Sequence, residues 1–337
     1  MKRPGIAICA VLLAGAMTFV AGCSSSGSKS DAGGSGGGVD TSHVVIAWNS
    51  TPDEAYLPLL MAIDDMNAQG FSIEAKTLSG SDISFQSLAT NNIQFTADSL
   101  PPGALSVSQG APIRVVDTRN ANLVVWVADS AYDDCSRLDG KPVGIYSETG
   151  GYTVLMKLYF AKHCPGVKPK YVTIPDSPVR AQAVATGRLD GTALGLPDAL
   201  ALQKKYPNKK FVVVPLKEDL PGVGDEYVYT NQRTISAHPT IVQALLSAQL
   251  QAIRKIYQAP DTLDALVKQY LPSVTDSSVA QQFVQQHIWY ANGGLNGPGL
   301  PNTLKAFDLP GDPAKLQDIG PLTSALAKIG PSTATQY

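Results

Sequence analysis

Between His43 and Thr230 short apolar runs alternate with stretches of helical period, a rhythm that argues for parallel α/β sheets covered by helices. His43–Trp48 is apolar and stops at Asn49-Ser50-Thr51-Pro52, which reads as a buried strand ending in a polar turn. A helix follows from Glu54, with Leu59, Leu60 and Ile63 on one stripe and Gly70 as its stop. Ser72–Leu78 is a second strand, and Ser79-Gly80-Ser81-Asp82 opens a helix whose free N–H groups Ser81 or Asp82 can cap. Ile93–Ala97 is a third strand, and Asp98-Ser99-Leu100-Pro101-Pro102 starts a helix with proline in its first turn. Ile113–Val116 and Leu123–Val127 complete this part.

The pattern then repeats. Strands are predicted at Val143–Tyr146, Tyr171–Ile174, Leu189–Ala193 and Phe211–Val214. Helices are predicted over Tyr152–Ala161, from Ser177-Pro178 and from Leu196-Pro197-Asp198. Ala89-Thr90-Asn91-Asn92-Ile93-Gln94 is echoed by Ala185-Thr186-Gly187-Arg188-Leu189-Asp190, each a helix end turning into a strand. Glu226–Thr230 is the last strand. Beyond it Ile241, Leu245, Ala248, Ala252 and Ile256 form a long stripe, and helices follow over Asp261–Leu271 and Asp276–Trp289. The division this predicts is one lobe from 43–128 and 229–337, with the carboxyl-terminal helices packed on it, and a second lobe from 129–228.

Ahead of the lobes, Lys2 and Arg3 precede an apolar stretch from Ile6 to Val20, the anatomy of a cleaved export signal over 1–22. Roughly fifteen apolar residues are too few to cross about 30 Å of hydrocarbon comfortably. Val20-Ala21-Gly22-Cys23 resembles the lipobox of bacterial lipoproteins, which makes Cys23 the lipidated first residue of the mature chain. Residues 23–42 are dominated by Gly and Ser and read as a flexible tether. Cys9 leaves with the signal, so Cys135 and Cys164 form an even remainder, which outside the cell favours a disulfide. Spacing alone leaves two free thiols open as the alternative.

Net charge is only −2 and hydrophobic content 44%, which suits a packed globular chain and speaks against nucleic acid as a partner. His43, His163, His238 and His287 are scattered, and no HExxH, GxSxG or P-loop spacing is present, so neither metal, cofactor nor turnover is expected. In parallel sheets ligands bind beyond the carboxyl ends of strands, where helix amino termini present unpaired N–H groups. Five junctions qualify: Trp48-Asn49-Ser50, Gly80-Ser81, Asp98-Ser99, the turn Ser147-Glu148-Thr149-Gly150 running into Tyr152, and Leu196-Pro197-Asp198. Each also has a plain structural reading: Ser and Asp as caps, Trp48 as core, Glu148 as a charge favoured at a helix start.

Gly110–Val116, Leu138–Ile145 and Ala185–Asp190 occur in an order that resembles the sulfonate/nitrate/taurine type of ABC-importer solute-binding proteins, a family that includes carriers of thiamine pyrimidine precursors. The resemblance spans about residues 43–271. It implies a type II periplasmic-binding-protein fold, with two α/β lobes of parallel-dominated mixed sheets flanked by helices and joined by two crossover segments. It further implies a receptor, expected to be monomeric, that takes a sulfonate-, taurine- or nitrate-like or related organic solute in the cleft and passes it to permease subunits; with the lipobox at Cys23 this places it on the outer face of the cytoplasmic membrane, held by lipid. Asn49-Ser50, the helix after Gly80, Asp98-Ser99 and Ser147 to Tyr152 match the expected contacts. Two positions depart: Gln94 replaces a common acidic residue, and Glu148 stands where anion binders have small neutral residues. A carboxylate against a bound sulfonate costs several kcal/mol at an effective dielectric near 20, and Asp98 and Asp198 raise the same conflict. A neutral or cationic heterocycle such as an aminopyrimidine is therefore the alternative ligand. An enzyme of cofactor biosynthesis on the same fold and a protein-binding sensor or adhesin are the alternative classes.

Overall fold

The computed structural model describes residues 42–48, 51–78, 80–146, 148, 151–174, 176–220, 222–297, 299–309 and 311–334. The export signal, Cys23, the tether to residue 41, and Asn49, Ser50, Ser147, Thr149 and Gly150 lie outside them. The first lobe is built on β1 (His43–Trp48), α1 (Leu57–Ala68), β2 (Ser72–Thr77), α2 (Ser81–Ala89), β3 (Phe95–Asp98), α3 (Leu100–Ser108) and β4 (Ile113–Thr118). Then come β5 (Val124–Asp129), β6 (Pro142–Ile145), α4 (Gly151–His163), β7 (Lys170–Thr173), α5 (Ser177–Ala185), β8 (Gly191–Gly195), α6 (Leu196–Lys205) and β9 (Phe211–Pro215). The chain ends with β10 (Tyr227–Asn231), α7 (Gln232–Ala237), α8 (Pro239–Gln258), α9 (Leu263–Tyr270), α10 (Ser278–Gln285), α11 (Gly299–Ala306), α12 (Pro313–Leu316) and α13 (Gly320–Ile329).

Two five-stranded mixed sheets result, ordered β2-β1-β3-β10-β4 and β7-β6-β8-β5-β9. The fold is that of periplasmic binding proteins. In each sheet the fourth strand is an antiparallel insert: β10 pairs with β3 and β4, and β5 with β8 and β9. β5, which the sequence division assigned to the first lobe, is therefore a strand of the second sheet. The lobes repeat at constant spacing, because Ser81 and Ser177, Phe95 and Gly191, and Leu100 and Leu196 are each 96 positions apart at the starts of matching elements.

The crossover segments at 119–123 and 216–226 join the sheets at one edge and pair with each other. Arg119 N donates to Glu226 O at 3.0 Å and Asn122 N to Val223 O at 3.0 Å. A third segment joins them, since Ala121 N donates to Ile288 O and Tyr290 N to Arg119 O. The carboxyl-terminal helices depart from the expectation that they cover the first lobe alone. α8 packs on α1 there, but α10 meets α6 and α11 meets α4 of the second lobe. One apolar core correspondingly unites Leu57, Ile253, Phe283 and Trp289 with Val125, Leu194 and Leu196. The core clusters of the described residues lie within Val39–Tyr337. Cys135 and Cys164 are joined as a disulfide with their Cα atoms 5.9 Å apart.

Candidate ligand-binding cleft

The carboxyl ends of the parallel strands and the amino ends of β5 and β10 share the edge at which the crossovers run. On the first lobe Asp98 ends β3 and is 2% exposed. Its Oδ1 accepts from Ser99 N at 2.7 Å and from Ser81 Oγ at 3.1 Å, so one carboxyl ties together the starts of α2 and α3. Burial pushes it up to about 6 against the pull of those donors. Gly80 precedes Ser81 at φ 131°, backbone that a side chain would strain. Trp48 is 3% exposed, donates its indole N–H to Thr77 Oγ1 at 3.0 Å and packs on Tyr56 with ring centres 5.5 Å apart. It is a wall of the core beneath the cleft.

From the second lobe Tyr152, in the first turn of α4, brings its hydroxyl against Gly195, where a Cβ would lie 3.2 Å away. The negative charge of Asp225 and then burial raise this phenol well above its ordinary value, with Asp53, Asp198 and Glu226 adding to the effect. Asp198 Oδ2 accepts from Ser177 Oγ at 2.5 Å, tying α5 to α6 as Asp98 ties α2 to α3. Glu148 faces elsewhere: its side chain is 65% exposed and pairs with Lys157 Nζ of α4 at 2.7 Å.

Four further residues at this edge were not singled out from the sequence. Asp53 accepts from Ala55 N at 3.0 Å and is pushed up to about 7, by burial and then by Glu226. Asp225 is pushed up to about 8 by burial, Glu226 and Asp53. Glu226 accepts from the Tyr56 hydroxyl at 2.9 Å, and its other oxygen lies 3.0 Å from Arg119 Nη2. Arg119 is 2% exposed, donates to Ala55 O at 2.7 Å and stacks over Tyr56 at 4.5 Å. Asp225 and Glu226 precede an antiparallel strand, so they reach the ligand edge from an amino end, which a search of carboxyl ends passes over. Asp53 has the ordinary signature of a helix cap.

Among the described residues the cleft edge thus gathers Asp53, Asp225 and Glu226 near the guanidinium of Arg119, with Asp98 at the end of β3, while on the second lobe Asp198 and Tyr152 act on a second buried guanidinium, that of Arg180. The one group with metal-ligand atoms in range is Asp134, Cys135 and Cys164, and its two thiols are consumed in the disulfide.

The sequence profile described as NMT1/THI5 like matches residues 67–263, more than half of the chain. The chain belongs to the NMT1/THI5-like family. The matched span of this NMT1/THI5-like chain contains Asp98, Tyr152, Asp198, Asp225 and Glu226, but Asp53 precedes it. No curated protein sequence matches. Among solved structures, a Bordetella bronchiseptica protein is similar at 19% identity and TM-score 0.66, over 86% of this chain and 98% of that one. The ligand-binding component of an ABC-type import system from Staphylococcus aureus, solved with zinc bound, is similar at 12% identity and TM-score 0.66, over 84% and 98%. The periplasmic aliphatic sulphonate-binding protein of Escherichia coli is similar at 14% identity and TM-score 0.55, over 73% and 77%. At these identities the likeness is one of fold.

Proposed function

We propose that this chain is the extracytoplasmic solute receptor of an ABC importer, anchored by lipid on Cys23, and that its ligand is a neutral or cationic organic molecule of the aminopyrimidine kind rather than a free sulfonate or nitrate. The receptor reading is supported by family membership, by the two-lobed fold, and by neighbours described as import-system and sulphonate-binding proteins. The observation that carries the ligand class is the excess of carboxyl groups. Five of them stand against two buried guanidinia, Arg119, which is committed to Glu226 and to Ala55 O, and Arg180, which is committed to Ile174 O and Ala193 O. An anion at about 4 Å from one ionised carboxylate meets roughly 4 kcal/mol of repulsion at an effective dielectric of 20, nearly three orders of magnitude in affinity. A protonated amine or amidine edge gains where the anion loses.

Asn49, Ser50, Ser147, Thr149 and Gly150 complete the proposed contact set with Gly80, Ser81, Asp98, Ser99, Tyr152 and Asp198. Ligand bridging both lobes favours the closed arrangement by its differential affinity for that state. Thermal-shift and calorimetric titration should find stabilisation by aminopyrimidines or small amines and none by alkanesulfonates, taurine or nitrate. Tight sulfonate binding would refute the charge argument, and silence across a broad metabolite set would remove the receptor reading itself.

A further inference from the structure

On the first lobe, at the sheet edge opposite the cleft, a pocket of about 170 Å³ is lined by His43, Asn91, Gln94, Arg233, Thr234 and His238. It sits where β1 begins and β10 ends, beside the point at which the chain enters the lobe.

The side-chain carbonyls of Asn91 and Gln94 and three backbone carbonyls around this pocket are occupied. Asn91 Oδ1 accepts from Thr234 Oγ1 at 3.1 Å, and Gln94 Oε1 from Val45 N at 2.8 Å. Asn91 O takes Gln94 Nε2 at 3.0 Å, Thr234 O takes His238 N at 2.9 Å, and His238 O takes Ile241 N at 3.1 Å. Donors remain. With its carbonyl oxygen turned to Thr234, Asn91 directs its Nδ2 hydrogens elsewhere. The Arg233 guanidinium is exposed and has no ion pair among the described residues. Among the described residues no carboxylate lines the pocket. Glu74, which pairs with His43 at 3.1 Å, is shared with Lys76 at 3.0 Å.

We infer that this pocket binds the phosphate of an acidic phospholipid headgroup. A donor-rich, acceptor-filled pocket with one uncommitted guanidinium selects a small oxyanion. The lipid source follows from where the chain enters: His43 is 20 positions after Cys23, and a Gly/Ser-rich coil of that length spans about 25 Å root-mean-square. Through that connection the bilayer surface is the most concentrated phosphate within reach. Headgroup capture would rest the base of the first lobe on the membrane and turn the cleft outward, a posture for collecting solute. This rests on the lipid anchor of the proposed function and not on the ligand in the cleft, so failure here leaves solute capture untouched.

The test uses Val39–Tyr337, the compact unit that holds the core clusters of the described residues, in flotation with vesicles of phosphatidylcholine alone or mixed with phosphatidylglycerol, and in titration with inorganic phosphate followed by histidine ring NMR. The segment should float only with the mixed vesicles, and inorganic phosphate should compete. Arg233→Ala should weaken vesicle binding about fivefold, the effect of one basic side chain at an anionic surface. Arg188→Ala, an exposed arginine on the second lobe, should change nothing. Equal losses from both substitutions, or none from either, would overturn the pocket. Phosphate-induced shifts of the His43 and His238 rings without vesicle binding would overturn the headgroup and leave a site for free phosphate.

Discussion

Arg119 is held by Glu226, by the Ala55 carbonyl and by the face of Tyr56, and it in turn neutralises one member of a crowded set of carboxyls. Removing one partner of a buried ion pair leaves the other uncompensated. Arg119→Ala should therefore cost about 3–5 kcal/mol in chemical denaturation. Arg119→Met with Glu226→Gln should lose much less, and equal losses would show that the charge pairing is not what matters. Burial, reinforced by neighbouring carboxylates at Asp53, Asp98 and Asp225 and acting without them on Asp117 of β4, sets a pH dependence. Asp53, Asp98, Asp117 and Asp225 are pushed up from 3.8 to about 7, 6, 7 and 8. Above about pH 4 the folded chain still holds protons that the unfolded chain has released, so these groups withdraw stability as pH rises and their effect levels off above about pH 8. Carboxyls held below their usual range, such as Asp219, lose their contribution only in stronger acid. The melting temperature should fall between about pH 5 and 8. A melting temperature that rises over this window would contradict the burial of these four groups. A cationic ligand reverses the balance by favouring the ionised forms. Its affinity should rise over the same window with proton release, measurable by calorimetry in buffers of different ionisation enthalpy.

The Cys135–Cys164 bond ties the short turn Cys135–Leu138 to the end of α4. In the chain-entropy model a loop of this length makes the bond worth about 3 to 4 kcal/mol, so reduction should lower the denaturation midpoint without changing the fold. An unchanged midpoint would mean that the unfolded chain is already restrained there. The elements themselves were largely legible from apolar runs and punctuation, but two strands start later than their apolar residues. Ile93 and Leu189 are buried, yet β3 and β8 begin at Phe95 and Gly191. Both residues fill the floor of a turn. The following backbone N–H groups, of Gln94 and Asp190, donate to Val45 O and Pro142 O at 2.9 Å. The six-residue echo marks this turn in both lobes, 96 positions apart. Gln94 serves it structurally, bonding Val45 N with its carboxamide. Strand direction and sheet membership were not legible, because a period-two or continuous apolar run has no sign. That hid β5 in the second sheet and, with the antiparallel course of β10, hid Asp225 and Glu226 from the site.

At the scale of the whole molecule the decisive feature is the core shared between the lobes. Two crossovers alone would let the lobes swing. Here Ile253, Ile256, Phe283 and Trp289 of the carboxyl-terminal region pack against Val125, Val127, Leu194, Leu196 and Leu202 of the second lobe, while Leu57 and Met61 join from α1. Wide opening would expose this apolar surface at about 25 cal/mol per Å², a cost that grows with every side chain uncovered. On the other flank α11 sets Phe307 near Gly151, and a Cβ there would lie 3.3 Å from the ring, so the start of α4 is braced as well. Closure over a ligand is accordingly confined to a small rotation at the cleft mouth, where Tyr152 lies within electrostatic reach of Asp53, Asp225 and Glu226. Small-angle scattering on Val39–Tyr337 should give a radius of gyration near the value for a single compact body of that length, about 19 Å, both with and without saturating ligand. A free protein distinctly larger than this that contracts on binding would show that the carboxyl-terminal helices do not couple the lobes.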